Sequence, residues 1–149
     1  MSKTLLVLAG FCLVATPCFG QPAAAAKQVV AVPGGSPNAN LSAGIRVGDL
    51  LYASGQLGLK RDAPDTTIEG QTRQALENTK AVLEAGGTSM ANVVKCTVFL
   101  VNLADFQPMN RVYREFFPKD PPARSTVVVA ALVQANAKIE IECMAAIPR

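Results

Sequence analysis

Two β-strand patterns near the C-terminus constrain the fold of this chain most strongly. After the Pro121-Pro122 pair, the β-branched run from Thr126 to Val129 predicts a buried strand. Residues 138–146 instead alternate in polarity, as expected for a strand with one buried face. The apolar positions are Ile139, Ile141 and Cys143, and the positions between them are Glu140, Glu142 and Met144. The chain therefore needs a sheet with at least one covered face.

Charged residues accompany both predicted strands. Arg124 opens the first strand, and Glu140 and Glu142 lie on one face of the second. Because a guanidinium donates two parallel hydrogen bonds to a carboxylate, these side chains could frame a site for a small acid. The alternative, from these residues alone, is an exposed arginine beside solvated glutamates.

Three short strands and a helix are predicted in the first half of the domain. The strands cover residues 27–32, 43–47 and 50–54, and Gly48-Asp49 suits a two-residue hairpin turn. Thr66 and Glu69 have capping-box spacing, which predicts a helix start there. A stripe at helical spacing then continues to Gly86-Gly87, where glycine ends the helix. The stripe consists of Thr72, Ala75, Leu76, Thr79, Val82 and Leu83.

A central strand and a second helix follow. Residues 90–100 alternate, with one face predicted to carry Val94, Cys96, Val98 and Leu100. Asp105 is a plausible N-cap for a helix that ends at Pro118. Its predicted core stripe is Phe106, Met109, Tyr113 and Phe116. The order of strands, helix, strand, helix and two strands predicts an α+β sandwich with both helices on one sheet face.

The N-terminus has the pattern of a secretory signal. Lys3 precedes an apolar run that is too short to span a bilayer, and residues 18–20 suit cleavage before Gln21. A cut within residues 23–26 and an uncleaved anchor are the alternatives. We expect residues 1–20 to be a signal peptide, 21–26 a flexible tether and 27–149 one folded domain in a periplasmic or secreted protein, with no membrane association after cleavage.

Two cysteines remain after the predicted cleavage. Cys96 and Cys143 each fall on the apolar face of a predicted strand, where a thiol packs as a small hydrophobe. An oxidising compartment would permit a bond between them, and sequence does not give the distance between their Cα atoms. We predict two buried free thiols.

Composition excludes several kinds of site. The 149 residues include no histidine, which removes Ser-His-Asp, Cys-His and histidine-based metal sites. No glycine-rich segment has phosphate-binding spacing, so neither cofactor nor metal is expected. The net charge of +3 is not concentrated in a basic run, which argues against nucleic acid.

Several segments together resemble the Rid family of reactive intermediate deaminases, also known as YjgF-like proteins. They are PPARSTVVVAAL with KIEIECMA, the YASGQ segment at 52–56, TRQALENTKAVLEAGG at 72–87 and VKCTVFLVNLADFQPMNRVYREFF at 94–117. The resemblance covers about residues 27–148. It implies a chorismate-mutase-like mixed sheet with two helices on one face, and a homotrimer with active sites between subunits. It also implies hydrolysis of enamine or imine intermediates, such as 2-aminoacrylate, to 2-oxo acids and ammonia.

The resemblance assigns roles to individual residues. The family's ARS-segment arginine, which binds the substrate carboxylate, corresponds to Arg124, and the glutamate that positions the attacking water corresponds to Glu140. Glu142 is the alternative for that role, because residues 133–137 look one residue longer than usual. Ser54 and Gly55 match the SGQ segment and could line the pocket.

Two positions depart from the family pattern. Thr126 stands where many deaminases have cysteine, although a hydroxyl can still form a hydrogen bond there. Leu41 stands where the family has an aromatic residue over the ligand, so the resemblance does not supply that contact with the substrate. A non-catalytic trimer that binds small carboxylic acids or acts as a chaperone is therefore an alternative function, and a ribonuclease or translation inhibitor is a third.

Overall fold

A computed structural model describes residues 25–35, 40–60 and 65–148 of the chain. The predicted signal peptide and residues 21–24 of the predicted tether lie outside these ranges. The strands are β1 (Lys27–Val30), β2 (Gly44–Val47), β3 (Leu50–Ala53), β4 (Gln56–Leu57), β5 (Val93–Leu100), β6 (Ala123–Val128) and β7 (Ile139–Ala146). The α-helices are α1 (Ile68–Ala85) and α2 (Phe106–Phe116), and short 3-10 turns cover Met90–Asn92 and Leu103–Asp105.

The described strands form one mixed, seven-stranded sheet in the order β1-β2-β3-β7-β5-β6, and β4 also pairs with β7. β5 and β6 run parallel, since α2 connects them, and the other pairs are antiparallel. Both helices pack on the same face, against a core that includes Leu51, Leu76, Val98 and Ile141. The predicted α+β class is confirmed, and no helix among the described residues is long and apolar enough to cross a membrane.

Helix α1 begins one residue later than predicted. Thr67, rather than Thr66, is the N-cap, and its hydroxyl oxygen accepts a hydrogen bond from the amide of Gly70 at 3.0 Å. Asp65 fixes this cap by accepting from the amide and the hydroxyl of Thr67. Glu69 forms no capping box and instead pairs with Arg111 of α2. The predicted buried stripe and the stop at Gly86 are confirmed.

The predicted inward face of β5 is wrong at one position. An irregularity between Val93 and Lys95 shifts the register against β7. Val93 is therefore buried, whereas Val94 is 47% exposed. A bulge adds one residue to a strand and reverses the facing of the residues before it. Cys96, Val98 and Leu100 lie beyond the bulge and are buried as predicted.

The strand predicted as buried after Pro122 is an edge strand. β6 pairs on one side only with β5. Val127 and Val128 remain 44% and 49% exposed, because no described element covers them. The apolar run correctly predicts a strand, but within one chain it does not predict burial. No described element covers the sheet face opposite the helices either, and Tyr52 on that face is 44% exposed.

The prediction of two free thiols is wrong in the structure, because Cys96 and Cys143 form a disulfide. The two residues lie directly opposite each other on β5 and β7, with their Cα atoms 4.1 Å apart. Both point to the buried face, as predicted. Sequence periodicity gives the face of each strand separately, but it does not give the register that brings two strands together.

The disulfide is expected to stabilise the domain. It closes a loop with a sequence separation of 47, so reduction should lower the free energy of unfolding by about 2–4 kcal/mol. Denaturant unfolding with and without reductant measures this difference. The Cys143→Ala variant is the matched control and should not respond to reductant. Two reactive thiols in the unreduced, denatured protein that begins at Gln21, which retains only Cys96 and Cys143, would contradict the assignment.

Candidate functional site

Arg124 occupies a groove between β6 and α2. It is partly buried on the helix-bearing face of the sheet, beside its register partner Cys96. Its Nη2 donates a hydrogen bond to Oδ1 of Asn110 at 2.7 Å. Its Cζ lies 4.5 Å from the ring centroid of Tyr113, within cation–π range. The groove has a volume of about 340 Å³ and is lined by Gln107, Asn110, Tyr113, Arg114, Pro121, Pro122 and Arg124.

The charge of Arg124 is not neutralised within the described part of the chain. Neither of the two ion pairs found there includes it, since one joins Arg73 to Glu115 and the other Arg111 to Glu69. Asn110 supplies a neutral acceptor, which orients the guanidinium without cancelling its charge. A partly buried, uncompensated arginine at a groove suits a ligand carboxylate.

Two buried hydroxyl groups near Arg124 have no hydrogen-bond partner among the described residues. They belong to Thr126, two positions along β6, and to Tyr113, beneath the guanidinium. Burial raises the pKa of Tyr113 to about 12, although the positive charge of Arg124 opposes the shift. Leaving a buried hydroxyl unpaired costs about 1–3 kcal/mol. We call Arg124, Asn110, Tyr113 and Thr126 the arginine half-site.

Glu140 lies on the opposite, open face of the sheet. Its carboxylate occupies the space directly above Gly55, so a Cβ at that position would overlap Glu140 Oε1. A larger residue at position 55 would therefore displace the Glu140 carboxylate from this position. Ser54 adjoins them, and its hydroxyl donates to the carbonyl of Ser42 at 2.7 Å. We call Ser54, Gly55 and Glu140 the glutamate half-site.

Burial, rather than a neighbouring arginine, shifts the ionisation of Glu140 within one chain. An adjacent arginine would hold a carboxylate ionised, but burial raises the pKa of Glu140 above its usual value, and Glu142 raises it further. Arg124 does not contribute to this shift within one chain. Glu142 lies on the same face and is exposed, and together with Ser54 it lines a depression of about 310 Å³.

The structure does not bring Arg124 and Glu140 together within one chain. Ile139 and Ile141 are buried beneath the helices, so Glu140 between them points to the other face. Arg124 contacts Asn110 and Tyr113 of α2, on the helix face. The sequence analysis expected the arginine and a glutamate to frame one site, which the resemblance places between subunits, and a single chain does not test that expectation. Each chain therefore carries Arg124 on the helix-bearing face of the sheet and Glu140 on the other face.

Sequence analysis missed Asn110 as a site residue and placed Tyr113 only in the core. The core assignment is confirmed, since Tyr113 is 4% exposed. Asn110 precedes Tyr113 by three positions, which puts both on one side of α2. A polar residue beside the apolar stripe was the available signal, but its meaning depends on β6 lying next to α2.

Comparison with known proteins gives consistent matches across the folded region. A model of the family described as endoribonuclease L-PSP matches residues 33–147. The chain is 46% identical over 110 residues to Reactive Intermediate Deaminase A, chloroplastic, of Arabidopsis thaliana, covering 70% of this chain and 57% of that protein. It is 39% identical over 125 residues to a 2-iminobutanoate/2-iminopropanoate deaminase of Dermatophagoides farinae, covering 81% of this chain and 97% of that protein.

Solved structures show the same fold. The YjgF gene product of E. coli superposes with a TM-score of 0.74 at 34% identity, over 80% of this chain and 98% of that one. E. coli TdcF, solved with bound serine, gives a TM-score of 0.75 at 31% identity, over 81% of this chain and 99% of that one.

Proposed function

Because the chain belongs to the endoribonuclease L-PSP, or Rid, family, we propose that it hydrolyses enamine and imine intermediates of small amino acids to 2-oxo acids and ammonia. The observation that carries this proposal is the uncompensated guanidinium of Arg124 at a groove, oriented by Asn110. The deaminase names of two relatives support the reaction. The serine bound to TdcF supports a ligand of amino acid size.

In the proposed reaction, a 2-aminoacrylate-like acid binds through its carboxylate to Arg124. The enamine takes a proton on its terminal carbon and becomes the protonated imine. Glu140 accepts a proton from water as the water oxygen bonds to the imine carbon, and a neutral carbinolamine forms. Glu140 returns this proton to the nitrogen, the carbon–nitrogen bond breaks to release ammonia, and the hydroxyl proton passes to solvent as the carbon becomes the carbonyl of the 2-oxo acid.

We also propose that the active site joins the arginine half-site of one subunit to the glutamate half-site of its neighbour in a homotrimer. Two observations support this assembly. Arg124 and Glu140 lie on opposite faces of one chain's sheet, so a single copy offers no pocket containing both. Exposed apolar residues on β3 and β6 include Tyr52, Val127 and Val128, and a subunit contact would cover them.

Export remains our proposal for the location of the protein. The disulfide between Cys96 and Cys143 supports an oxidising compartment such as the periplasm or the exterior. The intact mass of protein from the extracytoplasmic fraction would reveal a cut before Gln21. Full-length protein, or protein found only in the cytosol, would contradict export.

A non-catalytic trimer that binds small carboxylic acids is the second candidate. The observation that favours it is Leu41, which is 52% exposed and supplies no aromatic ring over the ligand. Such a protein would retain the Arg124 groove and bind without turnover. Ribonuclease activity, suggested by the family description, is disfavoured by a net charge of only +3 without a basic run.

The direct test of the proposed activity is release of ammonia and 2-oxo acid from 2-aminoacrylate generated enzymatically in the assay. The parent protein should accelerate release above the spontaneous rate. Release at the spontaneous rate, combined with measurable binding of small carboxylic acids, would favour the binding protein.

A further inference from the structure

The guanidinium of Arg124 is held by three side chains of α2. Its Nη2 donates to Asn110, and its Nη1 lies 3.9 Å from the sulfur of Met109. The ring of Tyr113 lies 4.5 Å from its Cζ, whereas Phe106 is more distant at 6.0 Å. The hydrogen bond to Asn110 restrains one end of the guanidinium but leaves its tilt about that bond to be set by the ring contact.

Tyr113 is suited to fix that tilt because its own ring is immobilised. The residue is 4% exposed, and its ring packs against Phe117, one turn along the chain, at a centroid distance of 4.7 Å. Met109, also buried, lies one turn before it. A side chain enclosed in this way cannot follow the arginine, so the arginine must adapt to the ring.

The hydroxyl of Tyr113 does not account for a role of this residue in positioning Arg124. It is buried without a hydrogen-bond partner among the described residues, so it contributes no contact that would orient Arg124. The aromatic face remains as the part of Tyr113 that meets the guanidinium. A planar cation over an electron-rich ring is attracted through its face, which leaves its edge donors free for a ligand.

We infer that Tyr113 is a positioning residue that sets the plane of the Arg124 guanidinium through its aromatic face, so that the free donors point into the groove toward a ligand carboxylate. The inference rests on the carboxylate-anchoring role proposed for Arg124. It adds a specific requirement for ring electron density, which a residue that only fills the core would not have.

Calorimetric binding of pyruvate tests this inference apart from turnover. Tyr113→Phe keeps the ring and should retain most of the affinity, whereas Tyr113→Leu should bind pyruvate about three- to thirty-fold more weakly. In an Arg124→Ala background, Tyr113→Leu should cause no further loss. Phe117→Leu is the matched control, since it removes a buried aromatic from the same cluster without touching Arg124.

A shape-conserving series guards against a Tyr113→Leu protein that does not fold. Phenylalanine and its singly and triply fluorinated analogues at position 113 should weaken pyruvate binding progressively as fluorine withdraws electron density from the ring. A flat series, or an equal effect of Tyr113→Leu with and without Arg124, would overturn the inference, as would failure of the parent to bind pyruvate. A parent protein that binds pyruvate and shows the graded loss but never releases ammonia would uphold the positioning role and reject the deaminase function.

Discussion

Replacing Arg124 with alanine is expected to lower kcat/KM for 2-aminoacrylate-derived imines by about 30-fold or more. Truncating one partner of a desolvated, charge-assisted pair costs about 2–5 kcal/mol, and about 1.4 kcal/mol corresponds to a factor of ten. Arg124→Lys should fall between parent and alanine, because it keeps the charge but loses both the planar fork and the stack on Tyr113. The steady-state rate of 2-oxo acid release gives kcat/KM for the parent, Arg124→Ala and Arg124→Lys.

Arg46→Ala is the matched control for this loss of charge. Arg46 lies on β2, near the edge of the sheet that is opposite β6. The Arg46→Ala variant should therefore have a kcat/KM close to that of the parent. All variants should keep the folded content of the parent by circular dichroism. An Arg124→Ala protein that is as active as the parent would reject Arg124 as the anchor.

Glu140→Gln is expected to reduce kcat more than it reduces the binding of carboxylic acids. Glutamine keeps the shape of the side chain above Gly55 but cannot accept a proton from water. General base catalysis contributes about 100- to 10,000-fold, so a loss of at least 100-fold in kcat is expected. Glu142→Gln is the matched variant on the same strand and face, and it should have the smaller effect. The reverse order would assign the base to Glu142.

The pH dependence of activity should also reflect the role of Glu140 as the proton acceptor. Only the ionised form of Glu140 can accept a proton, so activity should rise with pH through the pKa of this group. Burial raises that pKa within one chain, and the neighbouring Arg124 of the proposed trimer would lower it, so the acidic limb should lie at higher pH in Arg124→Ala than in the parent. Glu140→Gln should remove that limb from the residual activity. A parent profile that is flat across this range would contradict a role for Glu140 as the base.

Much of the fold follows from local patterns in the sequence. The alternation along β7 and the stripe along α1 predict their buried faces correctly, because each depends on periodicity within one element. The errors arise where two elements meet. Val94 is displaced by a bulge against β7, and Cys96 meets Cys143 only through strand register. The exposure of Val128 depends on β6 having no neighbour at its outer edge among the described residues.

The candidate site shows the same contrast between what residue type and local pattern predict and what depends on contacts between elements. Arg124 and Glu140 can be selected from sequence because guanidinium and carboxylate chemistry is visible in residue type. Their placement on opposite faces could have been inferred for Glu140 from its alternation with Ile139 and Ile141. The side toward which Arg124 points is set by its contact with Asn110 of α2. The sequence pattern does not contain that contact.

The most direct test of the account is subunit complementation between Arg124→Ala and Glu140→Gln proteins. Each variant alone should be nearly inactive. If each site takes its arginine from one subunit and its glutamate from the next, unfolding and refolding an equal mixture should restore about one quarter of the parent activity, because that fraction of sites joins two intact halves at random. Refolding each variant alone is the control. A mixture no more active than its components would contradict a site shared between subunits.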